Sequence, residues 1–127
     1  MIRALYTRRP APDGTVRLRL AVSGHAGYAP KGQDIVCAAA SILAEALAAA
    51  LEQRADPPAL QVGCTRQDGL VILTADCAAR QLAQVQGLFD TALAGYRLLA
   101  QHYPACVALC AKNETESCRR NGGLYNE

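Results

Sequence analysis

The sequence has no long run of like charge, and its 13 basic and 11 acidic residues leave a formal net charge of only +2. That excess is too small to define a nucleic-acid track by electrostatics, so no direct nucleic-acid binding is expected. The N-terminal stretch Met1-Ile-Arg-Ala-Leu-Tyr-Thr-Arg-Arg9 carries charges inside its apolar part and lacks the core of a secretory leader. The longest apolar stretch, residues 35–51, contains Ser41 and Glu45. It falls short of the roughly 20 apolar residues that span a bilayer. These absences lead to the expectation of a soluble, cytoplasmic protein with no membrane partner. No internal repeat or low-complexity tract breaks the chain.

What is present fits one domain. A chain of 127 residues that is 51% hydrophobic can bury a core of its own. Six cysteines are many for this length. Without a secretory signal, however, their even number does not imply a disulfide framework. Cys64 and Cys77 lie inside apolar runs and read as small core hydrophobes. Near the C-terminus, His102, Cys106, Cys110 and Cys118 are residue types that bind zinc, and Arg119-Arg120 forms a basic pair. The compact Cys-x-x-Cys spacing is missing and Pro104 interrupts the group, so no metal and no cofactor is expected.

Residues 2–9 read as a strand, and Pro10-Ala-Pro-Asp-Gly14 as a turn. Residues 15–23 alternate, with Val16, Leu18, Leu20 and Val22 on one face and Arg17 and Arg19 on the other, which is a half-buried strand. Residues 24–33 hold three glycines and a proline and read as a loop. Asp34 then offers a helix N-cap. Beyond it Ile35, Ala39, Ile42, Leu43, Ala46, Leu47, Ala50 and Leu51 recur at helical spacing. The other faces are rich in alanine, so this helix is expected to be covered on more than one side, by a second helix or a second subunit. Asp68-Gly69 between the apolar runs 60–65 and 70–75 signals a hairpin. A second helix is expected over 79–103, stopped by Pro104, and residues 105–111 suit a short final strand. The order β-β-α-β-β-α(-β) predicts an α+β fold, a small two-layer domain with a mostly antiparallel sheet and two helices packed on it. The expected domain spans 1–111, followed by a loosely held polar tail, 112–127.

The chemistry concentrates in Gly24-His25 … Gly32-Gln-Asp34-Ile-Val-Cys37. With Asp34 as cap, Cys37 stands at the third helical position, where free backbone N–H groups and the helix dipole favour a thiolate. A thiolate attacks carbonyl carbon, and an imidazole such as His25 promotes it and later protonates the leaving amine. The same N–H groups would be open to an oxyanion. Asp34 has two possible roles: a carboxylate that opposes the thiolate by like charge, or one that orients His25 and stabilises its imidazolium. The orienting role is the one expected. The bland alternative is a packed cysteine beside a loop histidine.

The stretch Gly24-His-Ala-Gly-Tyr-Ala-Pro-Lys-Gly-Gln-Asp-Ile-Val-Cys-Ala-Ala-Ala-Ser41 resembles the signature of the ribosomal-processing cysteine protease family, Prp. That signature is Gly-His, a loop of set length, then Gly-x-Asp-Ile-Val-Cys-Ala, with Ser four residues past the Cys. The likeness covers residues 1–111. It implies His25 and Cys37 as the catalytic pair, with Asp34 as a supporting residue. Ser41 matches a family position one turn beyond Cys37, where it either supports the site or fills a helix contact. The loop would cover a peptide, with Gly24, Gly27 and Gly32 giving it freedom, Tyr28 an apolar wall and Lys31 a charge. The resemblance further implies a homodimer that removes the N-terminal extension of large-subunit ribosomal protein twenty-seven. Two other readings stand beside it. One is a non-catalytic dimeric adaptor that binds such a peptide in the same groove. The other is a metal or redox module built on the C-terminal cysteines.

Overall fold

The computed structural model describes residues 1–114 and the backbone of residues 124–126. The elements follow the expected order: β1 (Ile2–Pro10), β2 (Val16–Ser23), α1 (Ile35–Arg54), β3 (Leu60–Gln67), β4 (Leu70–Cys77), α2 (Ala79–His102) and β5 (Val107–Asn113). A short β6 (Leu124–Asn126) closes the list. The strands form one sheet in the order β3-β4-β2-β1-β5-β6. Every pairing is antiparallel except that of β1 with β5, which is parallel.

Alternation decides which face is covered. Leu18 and Leu20 of β2, Leu73 and Ala75 of β4, and Val107 and Leu109 of β5 turn the same way and are buried. α1 lies against β3 and β4, and α2 against β2, β4 and β5. This is a two-layer α+β domain. The helices meet where α2 carries Gly95, whose missing side chain leaves room for Leu43. The wholly buried Tyr96 donates its hydroxyl to the Ala40 carbonyl at 2.7 Å, and burial raises its pKa well above the usual tyrosine range.

α1 is long and apolar enough by composition to cross a membrane. In this fold its inner face, including Val36, Ala40, Leu47 and Leu51, is buried against the sheet and α2. Its outer face is open: Ile35 is 58% and Ile42 64% exposed. Within one chain, then, the helix is covered on only part of its circumference.

The C-terminal part departs from expectation. β5 continues two residues past 111 because the free edge of β1 offers it partners as far as Arg8, opposite Asn113. Glu114 then donates its N–H to the Arg8 carbonyl and pairs with Arg9 at 2.7 Å. Residues 124–126, expected to be loosely held, pair with 110–112 as β6. Cys106 packs against the core while Cys110, between inward Leu109 and Ala111, points to the other face. Cys118 and the Arg119-Arg120 pair lie outside the described residues. Among the described residues no group of three His, Cys, Asp or Glu side chains has metal-binding geometry.

Candidate active site

β2 leaves the sheet at Gly24, which has φ of +90°. A side chain there would collide with the Met1 carbonyl, so only glycine fits this close approach. Its N–H donates to the Gly69 carbonyl at 2.9 Å, tying the chain to the β3–β4 turn. His25 is therefore delivered at the end of the sheet, exposed, beside that turn. The next residue, Ala26, is buried, and its N–H donates to Cys37 Sγ at 3.3 Å. One peptide step thus separates the histidine from the residue that touches the sulfur.

Cys37 sits, half-buried, in the first turn of α1. Asp34 is the N-cap, with an extended backbone (φ −93°, ψ 101°). Its Oδ1 accepts from the Val36 N–H at 3.0 Å and the Cys37 N–H at 2.9 Å. Its Oδ2 reaches back to the loop and accepts from the Tyr28 N–H at 3.0 Å and the Ala29 N–H at 3.3 Å. These bonds hold the carboxyl below the usual aspartate range, the Cys37 N–H foremost, with the Cys37 thiol adding to them.

This arrangement corrects two expectations. Asp34 makes no hydrogen bond to His25 among the described residues; its oxygens are committed to four backbone donors, so it is a cap and a loop clamp. The Val36 and Cys37 N–H groups are likewise occupied by Asp34 and are not open to an oxyanion. Both follow from one fact: orphan donors of a helix start bind the nearest carboxylate.

A cleft of about 600 Å³ opens beside the sulfur. Its lining brings together His25, Cys37, Asp34 and Ser41 with loop residues Gly27, Lys31 and Gly32. A second hollow of about 270 Å³ adjoins it and takes in Gly24. The two share His25, Cys37, Ser41 and Asp68. Tyr28 lines neither; its ring packs edge-on against Tyr103, centroids 5.5 Å apart, so it props the loop from outside. Asp68 and Gly69 were not singled out from sequence, where Asp-Gly serves fully as a turn signal. The pairing of Ser23 with Leu70 is what carries the turn to His25.

The chemistry on offer is a thiol, an imidazole and a peptide-sized groove, the parts of a cysteine hydrolase. Cys77 and Cys64 are less suited: burial pushes the Cys77 thiol up to about 11 and raises that of Cys64.

Solved structures share this fold. Among solved structures, the chain superposes on an essential ribosomal processing protease Prp from S. aureus, solved with a covalently linked product peptide. The TM-score is 0.69 at 22% identity, covering 88% of this chain and 100% of that one. SMU.848 from Streptococcus mutans is 34% identical over 91% of this chain and 96% of that one, with a TM-score of 0.59. No curated protein matches by sequence. The model of the family described as cysteine protease Prp matches residues 1–108, which takes in every strand and helix that builds the cleft. The chain belongs to the cysteine protease Prp family.

Proposed function

We propose that this chain is a cysteine endopeptidase with Cys37 as nucleophile and His25 as its base. Its substrate is the N-terminal extension of large-subunit ribosomal protein twenty-seven, removed in the cytoplasm during ribosome assembly. One observation carries the assignment: the Ala26 N–H rests on Cys37 Sγ in a cleft that His25 also lines.

That geometry supports the following steps. His25 takes the Cys37 proton, and the sulfur gains negative charge against the Ala26 N–H and the positive end of α1. The thiolate attacks the scissile carbonyl carbon; the C–N bond breaks and the imidazolium protonates the departing amine. Water then hydrolyses the thioester, with His25 as base again. Asp34 opposes the thiolate by its charge, yet its four hydrogen bonds spread that charge and fix the peptide that bears the nucleophile. Lys31, in the cleft lining, supplies a positive group for the substrate, and Gly27 and Gly32, both at positive φ, let the loop close over it.

A homodimer is part of the proposal, supported by the open apolar face of α1. The cytoplasm is supported by five free thiols among the described residues. The test is incubation with the same organism's ribosomal protein. A shortened N-terminus by mass spectrometry, absent with Cys37→Ala, is expected. An unchanged mass in a stable complex would favour the adaptor reading instead.

A further inference from the structure

Among the described residues the catalytic reading leaves the His25 ring without a partner to fix it, because the carboxylate nearest in sequence is committed elsewhere. Asp34 holds four backbone N–H groups. Among the described residues the only other acid in the lining of either hollow is Asp68, and it lines both. It sits at the β3–β4 turn, next to Gly69.

The ring's orientation is read from its approach to that turn. A Cβ placed on Gly69 would lie 3.2 Å from His25 Nε2, 3.7 Å from Cε1 and 3.9 Å from Cδ2. The Nε2 edge therefore faces the turn, and Nδ1 is on the far side. The Gly24 N–H to Gly69 carbonyl bond, at 2.9 Å, holds the backbone before His25 to the same turn. Gly69 has φ of +72°, a conformation that favours glycine, so the close approach and the turn shape are met by one residue.

We propose that the β3–β4 turn is the positioning element of the catalytic histidine. Gly69 walls the Nε2 edge of the ring, and the Asp68 carboxylate accepts the Nε2–H, leaving Nδ1 to exchange the proton with Cys37. Asp68 is exposed, so it reaches the ring by a side-chain rotation that costs little packing. Its role is to select the tautomer and steady the imidazolium, not to touch substrate. This rests on the assignment of Cys37 and His25 as the catalytic pair.

Two readouts separate this idea from that assignment. The first needs no turnover. The chain has two histidines, His25 and His102, so long-range nitrogen–proton spectra of the imidazoles are assigned with His25→Ala. Asp68→Asn is expected to move the His25 ring signals toward the other tautomer and leave those of His102 in place. Unmoved His25 signals would overturn the proposal whether or not the enzyme is a protease. The second is cleavage of the ribosomal precursor. Asp68→Asn is expected to lower kcat about fivefold at unchanged KM, the scale of an exposed charge pair. Asp68→Glu is expected to recover most of that loss. Equal losses in Asp68→Asn and Asp68→Glu, or none in either, would also overturn it. Wild-type cleavage lost with Cys37→Ala confirms that the assay reads the assigned chemistry.

Discussion

Cys37 differs from Cys64 and Cys77 in what surrounds its sulfur. Cys77 is fully buried, with its thiol held up at about 11, and burial raises Cys64 as well. Cys37 instead lies at a helix start beside an N–H donor and an open cleft. Brief treatment with iodoacetamide at neutral pH is expected to label Cys37 ahead of Cys64 and Cys77, read by peptide mass mapping. Equal labelling of all three would remove the basis for a nucleophile. At this scale the sequence was informative where a motif names residues by spacing: His25, Asp34, Cys37 and Ser41 do share one cleft. It was silent on Asp68, because a turn explains an Asp-Gly pair completely. It also left Asp34 with two roles, which only the direction of its two oxygens resolves.

The start of α1 and the loop before it behave as one element, because a single carboxylate binds both. Its folded-state pKa is depressed, so its contacts are present above the ordinary aspartate range. They are lost as pH falls through that lowered value. Amide hydrogen exchange is the direct measurement. Asp34→Ala is expected to lose protection at Tyr28, Ala29, Val36 and Cys37 together, with slower cleavage. Wild type should show the same four-site loss only at acid pH. Loss at Val36 and Cys37 alone would mean that the cap does not hold the loop. The helix, its cap, strand β2 and the β3–β4 hairpin were legible because each is written in local spacing: alternation in 15–23, helical recurrence after Asp34, Asp-Gly between apolar runs. The parallel partnership of β5 with β1 was not legible, since nothing in Val107–Asn113 names a strand about a hundred residues away. The extent of β5 depended on that partner too.

For the whole molecule, the open side of α1 sets the expected assembly. Ile35 and Ile42 are more than half exposed on a helix whose inner face is fully used, an arrangement that a second copy would complete. Ile42→Glu is expected to shift the sedimenting species from dimer to monomer. It should change the stability of the isolated fold by only about 0.5 kcal/mol, as for a surface position. A monomeric wild type would remove the homodimer from the proposal. The contact of β1 with the segment before β5 has a further consequence, a mechanical one. The Ile2 N–H bonds to the Cys106 carbonyl at 2.8 Å, and Gly24 is wedged against the Met1 carbonyl. β1 is thus fixed along both edges, by β2 and by β5, and the Met1 carbonyl that meets Gly24 is held with it. His25 follows Gly24 directly, so a disturbance that peeled β5 from β1 would travel to the catalytic loop through Met1.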